Sequence, residues 1–195
     1  MNKIDVFKDE YEYIKNIELL DDYKKLIESL PDYFFSVAAS STGKYHPKFA
    51  SGDGGLVRHT KVAVRCAYDL LLDPCIGDKY TSREKDLMII ALTLHDGLKH
   101  GNPEEKYTKA DHPLLVCDHI RAESKNLTQL KEDDIKFICD VISSHMGPWN
   151  TDYYTKEEIL PKPKNKYQNF VHMCDYLASR KFINVEFDGE NRIIG

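Results

Sequence analysis

Apolar residues recur at helical spacing through almost the whole chain, and this leaves few folds open. His59, Val62, Ala63, Cys66 and Leu70 fall at i, i+3, i+4, i+7 and i+11, one face of a helix that ends near Asp73-Pro74. Leu87, Ile90, Ala91 and Leu94 repeat the spacing behind a Thr81–Glu84 capping-box start, and that helix stops at Asp96-Gly97. His112-Pro113 opens another, with proline tolerated in the first turn. Ile135, Ile138, Ile142 and His145 share the face of the next, which Gly147-Pro148 ends. Val171, Asp175 and Ala178 line a last helix running from about Tyr167 to Arg180. A 3.6-residue period of this kind buries one stripe of each helix against its neighbours. The expected fold is therefore all-α, a single-domain helical bundle, and 195 residues suffice for a core.

Between these segments the sequence reads differently. Residues 5–29 form an acidic, aromatic-rich amphipathic stretch ended by Leu30-Pro31-Asp32, and Phe34 to Ala39 looks like a short helix. Ser40 to Gly55 is a loop, with five glycine or proline positions and no apolar period. Leu98 to Asp111 is a polar loop, and Leu160-Pro161-Lys162-Pro163-Lys164 a linker. Phe182 to Gly189 alternates and then turns, the pattern of a short C-terminal β-hairpin.

Net charge −5 and a pI near 5.9 argue against a general nucleic-acid-binding surface, which shows as a basic excess. A small anionic ligand stays open, because a local cluster of cations offsets the overall field. There is no run of 18 apolar residues, so no membrane partner is expected, and the acidic, aromatic start does not resemble a signal peptide. The five cysteines (Cys66, Cys75, Cys117, Cys139 and Cys174) show no CxxC spacing, and four of them lie on helical apolar faces and read as small hydrophobes in a reducing compartment. The expectation is a cytoplasmic protein.

Polar side chains interrupt the apolar faces at particular places. His59, the pair His95-Asp96, and Asp175 each sit in or at the end of a core-facing helical segment, and His112 and His145 sit at helix ends. Leaving an imidazole or carboxylate buried without a partner costs roughly 2–7 kcal/mol, so such residues need company. A backbone carbonyl satisfies a lone core histidine. A set of histidines and carboxylates brought together from separate helices more readily shares a divalent ion, whose ligands are neutral imidazole nitrogens and carboxylate oxygens.

The run Gly54-Gly55-Leu56-Val57-Arg58-His59-Thr60, followed by Leu92-Thr93-Leu94-His95-Asp96-Gly97-Leu98-Lys99 and then Asp175, resembles the HD-domain metal-dependent phosphohydrolase superfamily. The glycine-glycine-leucine lead-in is most similar to the HD modules of 3′–5′ exoribonucleases and small bacterial and phage HD proteins. The likeness spans residues 54–180, leaving 1–53 as N-terminal helices with a substrate-side loop and 181–195 as a tail. It implies an HD-type bundle in which His59, His95, Asp96 and Asp175 bind one metal. His112, ahead of Pro113, and His145, in Ser144-His145-Met146-Gly147, resemble the additional ligands of binuclear members, with Asp96 bridging. His119 competes with His112 for that role. Two helical turns, ~10 Å of rise, separate them, so one ion does not take both readily, and the helix-start position favours His112.

The chain departs from the common family order, His-Asp-hydrophobic-Gly-Lys, in exchanging Gly97 and Leu98, although Lys99 keeps its place. The glycine-tyrosine-proline signature of the cyclic-dinucleotide branch is missing. Histidine-rich ligation favours Mn, Fe, Co or Ni over Mg, which prefers oxygen donors, with one or two ions.

The activity implied is cleavage of a phosphate ester of a nucleotide or related small molecule by metal-activated water, with Asp96 and Lys99 as catalytic residues. Two alternatives use the same site: a 3′–5′ exonuclease or cyclic (di)nucleotide phosphodiesterase, and a non-catalytic module that binds metal or nucleotide. Arg58, Lys44, Tyr45, His46 and Trp149 are the candidate substrate contacts, and polar-loop or packing roles are their plain alternatives. Arg65 and Lys61 lie nearby on the His59 helix, while lysines 162, 164 and 166 read as a solvated linker. His172, three residues before Asp175, is expected to orient that carboxylate, and His119 is the second candidate for a supporting role.

Overall fold

The structure, a computed structural model, describes residues 2–40, 43, 46–152 and 154–194. Eight α-helices are described: α1 (Lys3–Val6), α2 (Leu20–Ser29), α3 (Gly55–Leu72), α4 (Pro74–Gly77), α5 (Ser82–Leu94), α6 (His112–Glu123), α7 (Glu132–Ser143) and α8 (Lys166–Ala178). The described chain is thus mostly helical, as the periodicity predicts. The packing centres on α5. It contacts α3, α7 and α8, while α3 packs on α8 and α6 on α7.

Every residue from 86 to 101 is buried, so α5 and the turn after it run through the middle of the protein. A helix surrounded by neighbours shows no polar face beyond its first turn, and Leu87 to Leu94 accordingly reads as nearly all apolar. Its start is the expected capping box. Thr81 N–H donates to Glu84 Oε2 at 2.7 Å, and Glu84 N–H donates to Thr81 Oγ1 at 3.2 Å. The start of α3 depends on close contact. A Cβ on Gly55 would lie 2.4 Å from Ala50 O, so only glycine lets the loop from 46 to 54 pass this near the helix.

Three expectations need correction. Residues 5–29 are not one helical stretch: α1 and α2 are separated by single 3₁₀ turns at Glu10–Tyr13 and Ile17–Leu19. The break comes from the far side of the fold. Both carboxylate oxygens of Asp86, on α5, accept the Lys15 and Asn16 backbone N–H groups at 2.9 Å, holding that backbone out of a helix. Phe34 to Ala39 is not a helix either. A 3₁₀ turn covers Asp32–Phe35 after Pro31, and Ala39 N–H turns away to pair with Ala50 O at 3.0 Å. The C-terminal hairpin is present but later than expected: Glu186–Phe187 pairs antiparallel with Ile193–Ile194. Asp188 Oδ1 closes the turn by accepting from Glu190 and Arg192 N–H, each at 2.9 Å.

The N-terminal segment is tied down by buried charge. Lys61 on α3 is fully buried and donates to both oxygens of Glu10 at 3.0 and 2.8 Å, and Glu10 is itself 2% exposed. Asp22 on α2 accepts from Thr128, Gln129 and Leu130 N–H, which fixes the loop between α6 and α7. The cysteines are free thiols, with Cys117, Cys139 and Cys174 buried. Among the described residues no helix is long and apolar enough to cross a membrane.

Candidate metal centre

Five helix ends or faces meet at one place. His59 comes from the second turn of α3, His95 and Asp96 from the end of α5, His112 from the first residue of α6, and His145 from the turn after α7. Asp175 joins them from α8. All six ligand candidates therefore converge, and the four histidines and Asp96 are 2% exposed or less.

Asp96 lies between two groups of imidazoles. Its Oδ2 is 3.8 Å from His59 Nε2, 3.5 Å from His95 Nε2 and 2.5 Å from Lys99 Nζ. Its Oδ1 is 2.9 Å from His112 Nε2 and 3.7 Å from His145 Nε2. Asp175 Oδ1 completes the first side, 2.9 Å from His59 Nε2 and 3.5 Å from His95 Nε2. Two sets of donor atoms each lie within 4.8 Å of one another, His59 with His95 and Asp175, and His95 with Asp96 and His145.

The imidazoles are aimed by their own backbone. Nδ1 of His95, His112 and His145 lies 2.6, 2.7 and 2.8 Å from the carbonyl oxygen three residues earlier, that of Leu92, Lys109 and Ile142. A carbonyl only accepts, so each Nδ1 carries a proton, and in the neutral ring each Nε2 is left to present its lone pair to the carboxylates. A lone pair facing a carboxylate oxygen makes no hydrogen bond. His95 Nε2, His112 Nε2 and Asp96 Oδ1 accordingly have no hydrogen-bond partner, although they are buried and close together. Unpartnered buried acceptors facing one another are costly, and a shared cation removes the cost. Residues and donor chemistry both fit a divalent transition ion held by nitrogen and oxygen.

The electrostatics agree with a cation-binding role. Burial alone would raise the Asp96 carboxyl, but Lys99, His95 and His112 outweigh it and hold it well below the usual range. Asp175 is held down likewise, by His59 and His95 against burial. Burial and then the neighbouring His95 push His145 down to about 3, so it is a neutral donor at any ordinary pH. His95 shifts the other way: burial lowers it, yet Asp96 and Asp175 prevail and keep it above its ordinary value. A proton is thus the competitor for that nitrogen.

The cluster opens on a pocket of about 580 Å³ lined by Asp96, Lys99, His112, His145, Asp175 and His46, among others. His46 stands edge-on to His59 with ring centroids 4.8 Å apart, and burial and then the adjacent His59 push it down to about 3. Trp149 lines the same pocket. Lys44 and Tyr45 lie outside the described residues. The exchange of Gly97 and Leu98 leaves Lys99 against Asp96. Gly97 has no left-handed backbone and instead lets Leu30 pack close, 2.6 Å from where a Cβ would stand.

Other sequence candidates are not brought to the pocket. Arg58 turns away to bind Phe49 O at 2.5 Å, Ser51 O at 2.8 Å and Asn191 Oδ1 at 2.6 Å, joining the loop before α3 to the hairpin turn. His119 pairs with Ser29 Oγ at 2.9 Å and braces α6 on α2. Lys61 is the buried partner of Glu10, and Arg65 pairs with Asp69 at 3.0 Å. His172 does not bond Asp175. Its Nδ1 donates to the His145 backbone carbonyl at 2.6 Å, so it supports the neighbouring ligand instead.

Tyr176, Ser179 and Arg180 also line the pocket, and none was among the expected site residues. The available signal was their position, in the same helix end as Asp175. Compared with protein families, curated proteins and solved structures, the chain matches none.

Proposed function

We propose that the protein is an HD-type metal-dependent phosphohydrolase acting on a nucleotide or a related small phosphate ester. The observation that carries this reading is the set of three imidazoles whose Nδ1 protons are fixed by backbone carbonyls while Nε2 converges on Asp96 and Asp175. His59, His95, Asp96 and Asp175 would hold one ion. His112 and His145, on the Oδ1 side of Asp96, would serve a second. A divalent ion supplies Lewis acidity and makes water a nucleophile near neutral pH.

The chain's own groups supply the rest. Lys99, which lines the pocket beside Asp96, offsets negative charge as it gathers on a phosphoryl oxygen. Its ion pair with Asp96 keeps the ammonium in place. Neutral His145 and His46 keep extra positive charge out of the ligand cage. The site is reached through the pocket, which suits a small ester better than a long polymer.

Phosphate release from nucleoside monophosphates, a cyclic dinucleotide and a short oligonucleotide, each with Mn, Co or Ni, tests this reading. Ion-dependent release from the nucleotides is expected, and Asp96→Asn should abolish it. Wild-type rates in Asp96→Asn on every substrate would overturn the mechanism. Tight nucleotide binding without release under any ion would favour the non-catalytic module.

A further inference from the structure

The mouth of the pocket carries chemistry that the histidine–carboxylate cluster does not use. Trp149, in the turn region after α7, and Tyr176, on α8, lie nearly parallel, with ring centroids 5.7 Å apart and 14° between planes. The guanidinium carbon of Arg180 sits 3.9 Å from the Tyr176 ring centre. All three line the same pocket as Asp96 and Lys99. Despite packing on each other, Trp149 is 54% exposed and Tyr176 36% exposed. Tyr176 already carries Trp149 and Arg180 against its ring, whereas Trp149 leaves over half of its surface in water where a ligand would enter, and a flat ring laid on the indole would recover that burial.

Arg180 differs from the other arginines. Arg65, Arg83, Arg121 and Arg192 each pair with a carboxylate, and Arg58 binds two carbonyls and Asn191. Among the described residues no carboxylate pairs with Arg180. Its Nε bonds Tyr176 O at 3.1 Å, its Nη2 bonds Ser179 Oγ at 2.7 Å, and Nη1 has no partner among the described residues. The guanidinium is therefore held over the Tyr176 ring without a carboxylate among the described residues, and its charge is left for an anion. A ligand suited to this mouth has an aromatic ring at one end and negative charge at the other.

We propose that Trp149, backed by Tyr176, forms a stacking ledge for a nucleobase, and that Arg180 takes an anionic group of the same molecule. The ledge makes the site selective for nucleotides over sugar phosphates without a flat ring. The proposal rests on the phosphohydrolase reading for the location of the phosphate end, and its own test is a binding test. Stacking one base on an aromatic side chain is worth roughly 5- to 150-fold in affinity.

Trp149 is the sole tryptophan, so its emission reports directly on the ledge. AMP, GMP and UMP are titrated against ribose 5-phosphate, with fluorescence for the wild type and calorimetry for variants. At least one nucleotide should quench Trp149 saturably and bind more tightly than ribose 5-phosphate, which should leave the emission unchanged. Trp149→Ala should weaken that nucleotide by roughly 5- to 150-fold and leave ribose 5-phosphate unaffected. Arg180→Gln should weaken both ligands, and Arg180→Lys should restore part of the loss; circular dichroism and melting temperature check that each variant is folded. Equal affinity for nucleotides and ribose 5-phosphate, an equal effect of Trp149→Ala on both, or no binding of either overturns the proposal. Nucleotide stacking with no hydrolysis under any ion would overturn the phosphohydrolase reading and leave the ledge standing.

Discussion

Replacing Gly147 with alanine tests how the turn after α7 holds the candidate metal centre. Gly147 has φ +59°, and its N–H donates to Ser144 O at 3.0 Å, closing the turn that presents His145. Alanine in the left-handed region costs about 1–2 kcal/mol. The added Cβ would also lie 2.3 Å from Cε1 and 2.6 Å from Nε2 of His172, so that ring has to move. Moving it breaks the His172 Nδ1 bond to His145 O, 2.6 Å long, at a net loss of about 0.5–1.5 kcal/mol. The two effects together come to about 1.5–3.5 kcal/mol, which for a chain of this size lowers the melting temperature by about 3–14 °C. Thermal unfolding of Gly147→Ala measures this, with Gly189→Ala as the control. A Cβ at Gly189 meets nothing within 4 Å, so that change should stay within about 0.5 kcal/mol of wild type. Adding His172→Ala to Gly147→Ala removes the clash and should return part of the loss. Identical melting of Gly147→Ala and wild type would refute the role assigned to this turn.

Two further outcomes follow from the buried charges. Glu10→Leu leaves the fully buried Lys61 ammonium unpaired and should destabilise the protein by about 3–5 kcal/mol in denaturant titration, whereas Glu10→Leu with Lys61→Met should recover most of the loss. Failure of the double variant to recover would mean that the pair does more than neutralise itself. Metal retention should fall on acidification through the histidine range, where protons compete with the ion for the ligand nitrogens. His95 is raised by Asp96 and Asp175, so its protonated form, which cannot ligate, persists to higher pH than in a free imidazole. Retention that stays level through that range in equilibrium dialysis would contradict this.

Much of the bundle was legible because the signals that start and stop its helices are local. The Thr81–Glu84 box, Pro113 in a first turn and Gly147-Pro148 act through atoms a few residues apart. The convergence of His59, His95, Asp96, His112, His145 and Asp175 was legible for a different reason. Each stands on an otherwise buried face, and buried polar groups need partners wherever the chain goes. What escaped depends on atoms far away in sequence. The break before α2 is set by Asp86, about seventy residues on. Arg58 sits next to a ligand candidate, yet its direction is decided by carbonyls at Phe49 and Ser51 and by Asn191 in the hairpin turn. His172 shares a helix with Asp175, but a turn from another helix offers the nearer acceptor. Tyr176 and Arg180 carry no signature beyond their closeness in sequence to Asp175. Tyr176 is an exposed residue of α8 and Arg180 lies just past its end, and only the approach of Trp149 from another part of the chain brings them into one aromatic and cationic cluster.

Elemental analysis of the protein, purified without chelators and again after reconstitution with Mn, Fe, Co or Ni, bears most directly on the site. The account predicts at least one transition ion retained per chain. Retention should be lost in His95→Ala and Asp96→Asn while circular dichroism shows the helices intact. A folded wild-type protein that retains no ion from any of these metals, or variants that hold as much as the wild type, would contradict it.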